Sequence, residues 1–341
     1  MTAKSVPGKS GFLGRVDKHV MRLLLVMAVW MAFMALTKPT KFYTPINFQT
    51  MASQFPEFGL MSLGVMLCMI TGGIDLSTVG VANLVSIVMA FLLKALTPPE
   101  GGLPGYAIPL VFVLGAALGG FLGAVNGILV SKVRIPPILA TLGMSELLTG
   151  VSIVLTGGAA VSKLPVEYAL TINNKIAGLI PVQLVIFALM SFIVWFLLNR
   201  TTFGTKLYML GTNAQAARYS GLKNDRLLIT TYMISGIAAA LGGLIMLANY
   251  NSARANYGSV YVLQCILVVV LGGVSPTGGR GKISGVVLAI FLLRMLETGI
   301  NRFPQISSYY ISLIWGGVLL LVMVLDYFSA YRGPGRRRRE T

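Results

Sequence analysis

The sequence predicts an all-α polytopic membrane protein, a helical bundle of about ten transmembrane helices with both termini cytoplasmic. Three observations predict it. The 341 residues are 55% hydrophobic and only 11% charged, with a mean hydropathy of +0.80, whereas soluble domains carry about 25% charged residues. The apolar residues form long blocks, and a spanning helix needs ~20 of them, fewer where the segment is broken or shielded by protein. The basic residues between the blocks are strongly sided. A net charge of +17 would suggest nucleic acid in a soluble chain, but here the positive-inside rule accounts for it and no nucleic-acid partner is expected.

Ten candidate spans follow in order, at 21–37, 57–71, 77–96, 107–130, 136–156, 178–198, 227–249, 259–272, 282–299 and 308–328. They divide the chain into a basic cytoplasmic leader (1–20), a transmembrane domain (21–328) holding a cytoplasmic loop (199–226), and a basic cytoplasmic tail (329–341). Nineteen Lys and Arg residues fall in one set of connectors: the leader, Lys132 and Arg134, the 199–226 loop, Arg280 and Lys282, and the tail. Six fall in the other: Lys38, Lys41, Lys163, Lys175, Arg254 and Arg302. With both ends in the basic set the number of crossings is even, the basic side is cytoplasmic, and ten spans satisfy every connector.

The first span follows a basic leader, as a signal peptide would. Its far end, MALTKPTKFY, lacks a small-x-small cleavage pattern, so an uncleaved anchor is expected. Cys68 and Cys265 fall within spans and have no metal-ligand spacing. On the far side, Thr156–Gly178, with Pro165, Glu167 and Tyr168, suits a surface facing something outside the membrane. The tail RGPGRRRRET suits a topology anchor beside anionic lipid.

Two short spans end in a Gly pair: MLCMITGGIDLS at 66–77 and VVVLGGVSPTGG at 268–279. Gly-interrupted spans of this kind point to broken helices around a transport path. By parity both run from outside to inside, so they are not by themselves evidence for an inverted repeat. After Gly72 and Gly73, Asp75 with Ser77 can satisfy freed backbone N–H groups at the start of the next helix, or Asp75 can meet a substrate. In the fifth span Thr141, Ser145, Thr149, Ser152 and Thr156 share one helix face, with Glu146 beside them. Such a stripe suits a path for a neutral polyol and equally the close packing of helices. Arg294 and Glu297, three apart in the ninth span, are placed to neutralise each other.

The 199–226 loop, NRTTFGTKLYMLGTNAQAARYSGLKNDR, is too polar for lipid. Phe203-Gly204 and Gly211-Thr212-Asn213 read as breaks, and the AQAARYS stretch between Asn213 and Gly221 as a short helix. That helix is either a docking element or part of a solvated crossing. There is one histidine, His19, and no catalytic triad, His/Cys cluster or GxxxxGK[ST] pattern. The chain has no visible means of hydrolysing a nucleotide, and neither cofactor nor metal is expected in it.

Four stretches, in order, resemble one family: TGGIDLS at 71–77, IPPILATLGM at 135–144, TTFGTKLYMLGTNAQAARYSGL at 201–222 and LGGVSPTGGRGKISG at 271–285. They are similar to the permease subunits of bacterial binding-protein-dependent ABC importers for ribose and related sugars. The resemblance covers most of residues 55–325. It implies a ten-span permease of the bacterial inner membrane, paired with a second copy or a paralogue. It also implies two ATPase subunits that bind ATP and Mg, and an extracytoplasmic solute-binding protein. In that family the central loop carries the coupling helix, which maps onto Gly211, Asn213, Ala216, Ala217, Arg218 and Gly221, while Gly272 and Gly273 match the second break motif. Thr78 departs from the family, which continues GGIDLS directly with Val-Gly. The rival readings are an ion-coupled secondary transporter of a small polar solute, with Asp75, Glu146, Arg294 and Glu297 as its ionisable groups, and an ABC permease for branched-chain amino acids.

Overall fold

A computed structural model describes residues 18–98 and 102–303, with six single positions between 310 and 324. The first apolar block folds as α1 (Lys18–Thr37) and is followed by one turn, α2 (Pro39–Phe42). Thr44 then starts α3 (Pro45–Gln54): its hydroxyl accepts the Asn47 N–H at 3.2 Å, and Pro45 supplies the φ of the first helical position. Pro56 interrupts that helix, and α4 (Pro56–Ile70) leaves it at a 42° bend. Next come α5 (Thr78–Leu96), α6 (Ala107–Ser131) and α7 (Pro137–Thr156), the last opened by a proline and closed by Gly157 at φ 61.

The connection beyond α7 carries α8 (Val166–Ile172) and a two-stranded antiparallel hairpin, β1 (Lys175–Ile176) with β2 (Ile180–Pro181). Then follow α9 (Val182–Arg200), α10 (Thr202–Thr212), α11 (Ala214–Tyr219), α12 (Asn224–Tyr250), α13 (Tyr261–Leu271) and α14 (Ile283–Ile300). At about 1.5 Å per residue, α9 is ~28 Å long, enough for a bilayer core. Its N-terminus and the C-terminus of α12 lie at one end of the bundle, and the α10–α11 loop at the other.

Among the described residues seven helices are long and apolar enough to cross a membrane, and the bent α3–α4 pair makes an eighth. The expected span at 57–71 is therefore only the second half of a broken one that begins at Pro45. The expected span at 178–198 starts later, at Val182, because residues 175–181 form the hairpin. At 259–272 the helix has 11 residues, ~16 Å, about half a bilayer core. The span expected at 308–328 lies outside the continuously described residues, as do nearly all of the leader and the whole tail.

Helix α12 is the centre of the bundle, in contact with α4, α5 and α6. The close approach rests on glycine. On α6, Gly119, Gly123 and Gly127 recur every four residues and meet the α12 backbone at Gly236, Tyr232 and Ile229. In lipid, where burial of apolar surface drives nothing, such small residues bring backbones into van der Waals contact. One core cluster joins Met66 and Leu67 of α4, Ile245 of α12, Val268 of α13 and Ile290 of α14. A second joins Val85, Leu148, Tyr168 and Leu244, with the buried Tyr168 hydroxyl donating to the Leu244 carbonyl at 2.9 Å.

Candidate functional site

The two Gly-pair motifs end their helices in the same way. Gly72 after α4 and Gly273 after α13 both take the left-handed conformation, at φ 85 and φ 86. In each, the N–H three residues past the helix reaches back five residues, Gly73 to Cys68 O at 3.2 Å and Val274 to Val269 O at 3.2 Å. These bonds occupy carbonyls that a helix end leaves open. Gly272 has a further constraint, since a Cβ there would stand 2.6 Å from the Val286 Cα of α14.

Past the first break, Asp75 is 3% exposed. Its Oδ1 accepts from the Ser77 N–H (3.0 Å) and the Ser77 hydroxyl (2.6 Å), and its Oδ2 accepts from the Ser235 hydroxyl of α12 at 2.7 Å. Asn126 of α6 donates to the Ser77 oxygen at 2.7 Å. The carboxyl group thus binds the N–H of Ser77, the residue before α5, and ties the break to two neighbouring helices. Ser235→Ala removes one of its three donors and is expected to cost about 1–3 kcal/mol, read as a lower midpoint in a thermal melt of the detergent-solubilised protein.

The 135–144 motif packs onto the same break. The Thr141 hydroxyl accepts the Leu76 N–H at 3.1 Å and lies 3.0 Å from Ile74 O, and a Cβ on Gly73 would stand 3.1 Å from Pro137. Of the rest of the hydroxyl stripe, Ser145 packs against Gly80 of α5, the Thr149 hydroxyl donates to Ser145 O at 2.8 Å, and Ser152 is buried. Glu146, beside the stripe, is exposed.

The loop completes the cluster. Gly279 donates to Ile70 O at 2.9 Å, joining the second motif to the end of α4. Gly211, in the last turn of α10, sits against that bond: a Cβ there would overlap the Ile70 oxygen and stand 2.5 Å from Gly279 N. A Cβ on Gly278 would stand 2.7 Å from Gly72 N and 2.8 Å from Gly211 O. All four sequence motifs therefore meet at one end of the bundle. Tyr208 of α10 adds a bond from its hydroxyl to Gly281 O at 2.8 Å, and burial raises that hydroxyl above its ordinary pKa.

Two details of the loop differ from expectation. Gly204 does not break the chain. It lies inside α10, where a side chain would overlap the Leu198 carbonyl, and the break falls at the extended Thr201. The second break falls at the extended Asn213, whose Oδ1 accepts the N–H groups of Gln215 (3.0 Å) and Ala216 (2.9 Å) to start α11. Gly221 ends the segment at φ 80. Within α11, Ala217 is 2% exposed and points into the protein, whereas Ala216 and Arg218 face outward and Tyr219 is 92% exposed. A tyrosine so exposed is the residue that motif matching passed over. Beside it Lys132, Arg134, Arg218, Lys223 and Arg226, with Asp225, line a recess of about 390 Å³. Among the described residues no three potential metal ligands come together.

The arrangement brings α10 into contact with both helix breaks. A family model described as "Branched-chain amino acid transport system / permease component" matches residues 47–323. The ribose import permease of Escherichia coli (strain K12) is 31% identical over 334 residues, 96% of this chain and 99% of its own. That of Bacillus subtilis (strain 168) is 32% identical over 84% of this chain and 86% of its own. The autoinducer 2 import system permease of Yersinia enterocolitica is 32% identical over 82% and 83%. No solved structure matches. With a family match over most of its length and relatives of this identity across most of both chains, the protein belongs to this family of transport-system permeases.

Proposed function

We propose that the chain is the transmembrane permease subunit of an ATP-driven importer, forming the path for a sugar or sugar-like solute delivered by an extracytoplasmic binding protein. The contact of Gly211 with both helix breaks carries this reading. A partner ATPase subunit binds ATP with Mg and hydrolyses the ATP, and grips α11 through its outward side chains. The path runs between this chain and a second copy or a paralogue, in the bacterial inner membrane, with ten spans and both termini inside. Energy enters through the difference between the contacts that the two ATPase states make with α11, which α10 passes to Gly72 and Gly278. The relatives' names, ribose and autoinducer 2 importers, favour a small polyhydroxylated solute over a branched-chain amino acid.

The double replacement Arg218→Glu with Tyr219→Ser tests the coupling role. Both side chains are exposed, so the permease itself is expected to keep its stability to within about 0.5 kcal/mol. Co-purification of the ATPase subunit from mild detergent is expected to fall about tenfold, the effect of losing ~1.4 kcal/mol of contact, and ATP-driven uptake with it. Undiminished co-purification would remove α11 as the coupling helix. Uptake driven by an ion gradient without ATP would remove the importer reading altogether.

A further inference from the structure

At the end of the bundle opposite α11, a polar cavity of about 430 Å³ opens within the single chain. It forms where α3, the starts of α4, α9 and α13 and the ends of α12 and α14 meet. Glu57, Gln183, Asn249 and Tyr261 form its floor, and Arg294 and Glu297 a wall. Glu57 is 3% exposed and accepts from the Tyr261 hydroxyl at 2.8 Å and from the Asn249 amide. Gln183, at 0% exposure, donates to Asn173 and, at 3.2 Å, to Asn249.

The charges here are already answered. Arg294 pairs with Glu297 at 2.9 Å and donates to Gln54, Glu57 holds two donors, and Lys175 at the rim donates to Gln49 at 2.7 Å. Each of the four acidic and basic side chains of the lining thus already has a hydrogen-bond partner. Two polar atoms stay open: the buried Gln183 Oε1 acceptor and Arg294 Nε donor have no hydrogen-bond partner. Buried polar groups are normally satisfied, and a hydroxyl, which both donates and accepts, can serve either. Pro181 is the one aliphatic side chain in the lining, and beside it and the rings of Tyr250 and Tyr261 the walls are mostly polar. The volume lies within the range of small-molecule sites, about 300–1,000 Å³.

We infer that this cavity is a binding site for a neutral polyol the size of one sugar ring, held inside a single chain and separate from the path between chains. The inference rests on the sugar-importer reading and deepens it: the solute has a stop in the protomer, lined with amides and tyrosines, at the end facing the binding protein.

The test introduces Ser53→Cys, a half-buried lining position, into the full chain in lipid nanodiscs together with its ATPase partner. The native Cys68 and Cys265 are fully buried and stay silent. The reaction rate with a small water-soluble methanethiosulfonate is measured alone and with glycerol, D-ribose, D-galactose or leucine. At least one polyol is expected to slow labelling about threefold, the value of 1 + [L]/Kd at twice Kd, and leucine to leave it unchanged. Gln183→Met, which keeps the volume and removes the carbonyl, is expected to abolish the protection without changing the unprotected rate. Absence of protection by every polyol, protection by leucine, or protection that survives Gln183→Met overturns the site. ATP-driven uptake by the same complex separates the two readings: uptake without protection removes only this site, and protection without ATP-dependent uptake removes only the importer.

Discussion

Gly123→Leu is expected to leave the chain inserted in the membrane but unable to hold its bundle together. A Cβ at Gly123 overlaps the Tyr232 carbonyl oxygen and stands 2.9 Å from its carbon and 3.1 Å from Met233 Cα. Those atoms are backbone and cannot rotate away. Gly119 and Gly127 on the same face leave no more room, with the Ala240 Cβ and the Ile229 Cα each at 2.5 Å, so α6 must lift off α12 as a whole. Overpacking costs about 1–3 kcal/mol where side chains can adjust. Against two rigid backbones the expected cost is about 3 kcal/mol or more, a fall of roughly a hundredfold in the folded fraction. The displacement does not stay local, since α12 also carries Ser235 to Asp75 and packs Gly243 against Ala82 of α5. Thermal aggregation of the purified protein is expected to begin about 10 °C lower, whereas Gly105→Leu, at a position with no atom within 4 Å of its Cβ, melts as the parent does. A Gly123→Leu protein with the parent's melting point would mean that this crossing does not hold the bundle.

The helices were legible in the sequence because in lipid the backbone must satisfy itself, so each long apolar block becomes a helix almost regardless of detail. Arg294 and Glu297 likewise form the ion pair that their spacing predicts. What sequence reading missed depends on tertiary contact. Residues 45–56 look like an exposed connector, yet Thr44 and Pro45 start a helix there and Pro56 only bends it. Gly204 looks like a breaker, but its value is the missing side chain that lets α10 fold back onto Leu198. The Gly119, Gly123 and Gly127 repeat was readable in principle, since its spacing of four is a known packing signal. The outer cavity was not: its floor draws on residues 57, 183, 249 and 261, which nothing in the chain order links. The four motifs could be recognised one by one, but only the fold shows them touching.

That junction makes Gly211→Val the sharpest test of the mechanism. The Ile70 carbonyl that a Gly211 side chain would strike is also the acceptor for the Gly279 N–H. A β-branched residue therefore wedges open this bond, which joins the end of α4 to the second break, and pushes α10 away from both. Unlike Gly123, Gly211 lies at the edge of the helical bundle and is only partly buried, so the spans themselves keep their packing. The expected loss is in transmission: ATPase subunits still co-purify, because α11 keeps its outward face, but solute uptake falls by at least tenfold, about 1.4 kcal/mol of lost coupling. ATP turnover is then expected to continue without responding to the loaded binding protein. Gly211→Ala, with a smaller intrusion, should lie between parent and valine variant in uptake. If Gly211→Val transports at the parent's rate, force does not pass through this contact; if it loses the ATPase as well, α10 and α11 act as one docking unit and the step to the helix breaks must be sought elsewhere.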